Sequence, residues 1–151
     1  MRRLVLILAL AILGYSPIYA DISKKALKEV KREVKTLQAE GWQSAVAGIT
    51  IEEQAIKVRE FTDAKNSDGT PIYIVATADG KSVRDNVAQA MALSRCKSVA
   101  AQSVMSKDSQ IVKAQLGRTM VLMKLKREVG HNVEVRVSCA FKYAEISILK
   151  E

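Results

Sequence analysis

A single histidine, His131, is all that this chain of 151 residues offers for imidazole chemistry. A metal site usually draws several His, Cys or carboxylate ligands at recognisable spacing, and no such cluster appears. A Ser-His-Asp or Cys-His nucleophile would have to use His131. That residue sits in Gly130-His131-Asn132, which has the residues of a hairpin turn and points to a solvated side chain. Phosphate cradles are missing too: there is no G-x-G-x-x-G and no Walker loop. The seven glycines are scattered at turns and caps, where backbone geometry explains them. Glu52 with Glu53, and Glu29 with Glu33, could pair for glycoside cleavage, but both pairs fall on helix faces expected to be solvated. The expectation is a protein that is not an enzyme, with no catalytic residues, no cofactor and no metal.

Cysteine is scarce as well. Cys96 and Cys139 are the only two, and a domain of this size can bury a core without a staple. Nor does a long membrane span appear. Leu4 through Leu13 is an unbroken apolar run, about half the length a bilayer-spanning helix needs. It follows Met1, Arg2 and Arg3 and leads to a more polar exit ending at Ala20. This three-part pattern predicts a signal peptide over residues 1–20, cleaved before Asp21; an uncleaved anchor is the alternative. The first mature residue is not a cysteine, so no lipid anchor is expected. The expected product is a soluble single domain over residues 21–151, with no transmembrane helix once the signal is removed. Its place would be the periplasm, the outer membrane or the cell surface.

What the sequence has in excess is positive charge. Residues 21–151 carry 22 basic against 16 acidic side chains, a net charge of +6. Export argues against nucleic acid as the partner. Anionic lipid head groups, acidic polysaccharide or an acidic envelope protein are the candidate opposites, beside a plain solvated surface. Leu27, Val30, Val34 and Leu37 recur at helical spacing, with Lys24, Lys28, Lys31 and Lys35 on a neighbouring stripe. Those four lysines are the candidate contact surface. Peripheral membrane contact is open, but a membrane-surface helix would set bulky Trp, Phe or Leu residues beside such a stripe. Ordinary packing explains the apolar face found here.

The first helix should end near Gly41, with Trp42 packing back onto it. Thr50-x-x-Glu53 is a capping box, opening a helix over 51–62. Residues 66–71 form a turn cluster, and 72–78 reads as a strand bounded by Asp79-Gly80. Ser82 is expected to cap a long helix whose small face is Ala88, Ala92, Cys96, Val99 and Ser103. A short helix over 109–116 should end at Gly117. Strands follow over 119–127, with Val121, Met123 and Leu125 on one face, and over 133–141, where alternation is clean, with the apolar side chains facing in and Glu134, Arg136 and Ser138 facing out. Residues 144–150 could extend the strand or form a helix. The fold class is α+β: a small antiparallel sheet of about three strands packed against a long helix, with an N-terminal helical segment. Cys96 falls on the helix and Cys139 on the strand. They could form a disulfide if their Cα atoms come within about 7 Å, or remain two buried free thiols.

Lys24-Lys25 through Leu37-Gln38-Ala39-Glu40-Gly41-Trp42, then Ile51-Glu52-Glu53-Gln54, Tyr73-Ile74-Val75, the Ala-rich helix and Asn132 through Val137 carry a resemblance. Together they resemble the lipoprotein-twenty type of small exported envelope proteins. The most specific pieces are Glu40-Gly41-Trp42 and the Asn-Val-Glu-Val-Arg-Val strand. The resemblance covers nearly all of residues 21–151. It implies a helix on a curved sheet, a place in the envelope, and no known enzymatic activity or catalytic residues to carry over. The chain departs from the type in lacking the lipid-carrying cysteine and in a short segment around 103–117. The functional expectation is a non-enzymatic binding or structural module of the envelope. The alternative is a periplasmic small-molecule or lipid-binding protein, with an apolar pocket lined from Val83 to Val104.

Overall fold

The structure is a computed structural model that describes residues 22–150. The expected signal peptide therefore lies outside the described residues. Helix α1 spans Lys24–Ala39, and its N-cap Ser23 accepts a hydrogen bond from the Ala26 amide. It ends because Gly41 takes φ 84°, which lets the Gly41 and Trp42 amides reach back to the Gln38 and Leu37 carbonyls. This closure returns Trp42 against Val34 and Leu37. A two-residue strand, β1 (Gln43–Ser44), leads to α2 (Ile51–Asp63), where both halves of the Thr50–Glu53 capping box are present. Strand β2 (Tyr73–Ser82) precedes the long α3 (Asp85–Met105). Then come β3 (Ile111–Gln115), β4 (Thr119–Val129), β5 (Asn132–Lys142), a 3-10 turn at Tyr143–Glu145 and β6 (Ser147–Lys150).

The main sheet is antiparallel, in the order β1-β4-β5-β2. Because β5 is central, its alternate side chains meet two separate layers. Val135, Val137, Cys139 and Phe141 point at α3, where Ala88, Ala92, Cys96, Ala100 and Val104 complete a closed core. The opposite face belongs to the first two helices. Val30, Val34 and Leu37 of α1 and Ile51, Ala55 and Ile56 of α2 pack with Trp42, Met123 and Leu125. The architecture is thus three layers, helix on sheet on helix pair.

Several local expectations need correction. The sheet has four strands rather than about three, and β3 with β6 forms a second, two-stranded sheet. The segment expected as a helix over 109–116 is β3: its Ile111-Val112 start suits a pleated ribbon, and β6 supplies the partner edge. That pairing also settles the C-terminal stretch as a turn and a strand. Asp79-Gly80 does not end β2, since both residues stay on the ladder opposite Arg136 and Val135. Ser82 is the last strand residue, not the helix cap. Its hydroxyl accepts only from the Arg84 amide, and α3 starts after Arg84 without any side-chain cap.

Val121 does not share a face with Met123 and Leu125. The β4–β5 register shifts between Val121 and Met123, a bulge that turns Val121 outward while Leu122 and Met123 are both buried. The polar face of β5 is not a solvent face either: Ser138 is fully buried there and hydrogen bonds to Thr77 at 2.6 Å.

Candidate functional site

Helix α1 sorts its side chains by face. Ala26, Val30, Val34 and Leu37 are buried. On one flank Glu29 reaches across to Arg59 of α2 at 3.0 Å. The remaining arc carries Lys24, Lys25, Lys28, Lys31, Arg32 and Lys35, all exposed. None of these six cations lies within salt-bridge distance of a described carboxylate. Like charges one helical turn apart cost a few tenths of a kcal/mol per pair, so the arc is a small local expense that the packed apolar stripe offsets. Lys24, Leu27, Lys28, Lys31, Arg32 and Lys35 line an open groove of about 400 Å³. Its floor is the half-buried Leu27 together with the aliphatic lysine stems, and its rim is ammonium and guanidinium. A surface of this kind can hold an anion by long-range attraction and short-range hydrogen bonds.

The other residues considered for chemistry are dispersed. His131 is exposed at the tip of the β4–β5 hairpin, beside Gly130 at φ 62°. Cys139 lies further along β5 by roughly 25 Å at the rise of an extended strand. Glu53 is committed to the capping box, where hydrogen bonds from the Thr50 amide and hydroxyl hold its carboxyl below the usual range. Glu29 is committed to Arg59. The structure brings neither carboxylate pair to the histidine or the thiols. Among the described residues, no group of three or more His, Cys, Asp or Glu could hold a metal ion. No helix there is long and apolar enough to cross a membrane.

Cys96 and Cys139 do meet. Both are free and fully buried. The Cys96 thiol lies 3.0 Å from the Ala76 carbonyl oxygen and 3.3 Å from that of Val137. The neighbouring Cys96 thiol, together with burial, pushes the Cys139 thiol well above the ordinary thiol range. The layer around them is filled. Gly80 shows how tightly: a Cβ there would land on the Ala88 carbonyl oxygen and 2.6 Å from the Ala92 nitrogen. At Ala88 and Ala92, where the alternative reading places part of a ligand pocket, helix and sheet are in direct backbone contact.

Two clusters escaped the sequence reading. The guanidinium groups of Arg127 and Arg136 both lie against the Trp42 ring, 4.5 and 4.6 Å from its centroid. Arg136 also makes two hydrogen bonds to Asp79 at 2.7 and 2.8 Å, and Arg127 pairs with Glu134 at 2.7 Å. The one available signal is the alternation of Glu134 and Arg136 along β5, which on the sequence alone indicates a solvent face. The second cluster is Gln54, whose side chain bridges Ser44 and the Lys124 amide.

No protein-family model matches the chain, and neither a curated protein nor a solved structure matches it.

Proposed function

We propose that this chain is a non-enzymatic module of the bacterial cell envelope that binds an anionic envelope component through the cationic arc of α1. The observation that carries the reading is the segregation of charge on that helix. Six exposed cations without a carboxylate partner among the described residues share one arc, while the apolar stripe is taken up by the domain core. With that stripe buried, the helix has no apolar face left to insert into a bilayer. Contact is therefore peripheral and electrostatic, and weakens as salt shortens the screening length to about 8 Å at physiological strength. The signal-peptide pattern at residues 1–20 and the resemblance at Glu40-Gly41-Trp42 and Asn132 through Val137 support the envelope setting. Dispersal of the histidine and the paired carboxylates supports the non-enzymatic part.

The test is retention on phosphatidylglycerol vesicles and on an acidic polysaccharide matrix, over a salt series. The wild-type chain is expected to bind at least one of them at low salt. Replacing Lys24, Lys28, Lys31 and Lys35 together by Gln should abolish that binding while leaving the thermal melt in place. Equal binding by the two proteins, or no binding by the wild type, would overturn the proposal.

A further inference from the structure

The two cysteines of the chain come from distant positions, 96 on α3 and 139 on β5, yet the fold sets them at one point of the core. Ala76 is the cross-strand partner of Cys139, and the Cys96 sulfur sits 3.0 Å from the Ala76 carbonyl oxygen. The Cys96 thiol therefore hangs over the rung of the ladder that carries Cys139. Fully buried thiols in a filled core need no further explanation in a reducing compartment. In an oxidising one, two neighbouring thiols with no third competitor are a ready disulfide.

We propose that Cys96 and Cys139 are joined by a disulfide that forms while the chain folds in an oxidising envelope compartment, stapling α3 to the centre of the sheet. The proposal rests on the export reading for its oxidant, and on the geometry alone for its pairing. The oxidant is a protein or small-molecule disulfide. The Cys96 thiol loses its proton and attacks one sulfur of that disulfide, forming a mixed disulfide and expelling the first thiol of the oxidant. The Cys139 thiol then loses its proton and attacks the Cys96 sulfur. The Cys96–Cys139 bond forms and the second thiol leaves. Two electrons and two protons pass from the cysteines to the oxidant.

Burial adds a constraint on timing. Neither sulfur is accessible in the folded chain, so the first attack has to precede the docking of α3. Docking then delivers Cys139 to the mixed disulfide. Oxidation is thus coupled to folding, and a chain that folds reduced keeps its thiols sheltered.

The full chain is unfolded in urea with a reductant, then refolded with a glutathione redox pair added either before or after folding. Free thiols are alkylated under denaturing conditions and the mass is measured. Oxidant present during refolding should give a monomer lighter by two hydrogens with no alkylated cysteine; oxidant added afterwards should leave most chains doubly alkylated. The chain recovered from the envelope fraction should also lack free thiols. Two free thiols after refolding with oxidant would overturn the proposal on its geometry. Oxidation in vitro with free thiols in the cell would overturn it on the compartment, and would count against export. A Cys96→Ala, Cys139→Ala chain should melt at the same temperature with or without reductant, below the oxidised wild type.

Discussion

Gln54 is only 3 % exposed, and each end of its amide has an assignment. Its nitrogen donates to the Ser44 hydroxyl at 2.7 Å, and its oxygen accepts from the Lys124 amide at 2.7 Å. Strand β1 pairs with β4 at only two positions, opposite Lys126 and Leu125. The Gln54 amide therefore takes up the next open amide of β4, close to the bulge, where a longer β1 would otherwise pair. Among the described residues no buried side-chain nitrogen or oxygen lacks a partner. Gln54→Ala would leave the Lys124 amide without its acceptor, while the Ser44 hydroxyl keeps its bonds to Val46. A buried unsatisfied group costs about 1–3 kcal/mol, so the urea midpoint should fall with an unchanged slope. A loss below about 0.5 kcal/mol, the range of neutral surface changes, would show that water replaces the amide there. Nothing in Ile51-Glu52-Glu53-Gln54 marked this role. A glutamine in the first turn of an amphipathic helix is ordinary, and its partners come from 10 and 70 positions away.

At the scale of elements, the first half of the small-residue face of α3 was legible because Ala88, Ala92 and Cys96 recur every four residues and let a helix lie close to a sheet; beyond Cys96 the face runs through Ala100 and Val104, whereas Val99, expected on it, is exposed. What the helix lies on was not legible. The partner is the Gly80 backbone of β2, and Gly80 reads in the sequence as half of an Asp-Gly turn. Only the pairing of Asp79 with Arg136 across the ladder shows the strand continuing through it. Gly80→Ala tests this contact. The added Cβ would strike backbone atoms of α3 at Ala88 and Ala92, which cannot rotate away. Helix and sheet must separate, and overpacking of this kind costs about 1–3 kcal/mol. An unchanged melting temperature would mean that α3 does not sit on Gly80. The same dependence on partners explains the segment 111–115. A short apolar run is ambiguous between helix and strand, and the pairing with Ser147–Lys150 decides for the strand.

Across the whole molecule, the two hydrophobic clusters lie on opposite faces of one sheet; β2 and β5 supply the core strand residues of one and β4 those of the other, and β4 and β5 are paired along their length. Neither helix layer can leave without exposing the back of the strands that hold the other. A single cooperative transition is expected, as for most domains under about 150 residues. Trp42 reports on the α1–α2 face by fluorescence, and Cys96 reports on the α3 face by alkylation in reducing buffer. Their urea transitions should coincide. Earlier loss of the Trp42 signal would show that the α1–α2 layer unfolds on its own.

The sequence by itself determined the α+β class, the caps of α1 and α2, the long helix and the alternating strand. Each rests on interactions within a few residues: a Ser or Thr side chain on a nearby amide, a glycine at positive φ, or a fixed period of apolar side chains. It also determined the cationic stripe, since helical spacing alone puts Lys24, Lys28, Lys31 and Lys35 together. Tertiary structure alone decided the fourth strand, the β3–β6 ribbon, the outward turn of Val121, the contact of Arg127 and Arg136 with Trp42 and the meeting of the two thiols. All of these depend on pairings between distant segments, whose register is fixed by the packing of both sheet faces at once. No local pattern carries that information.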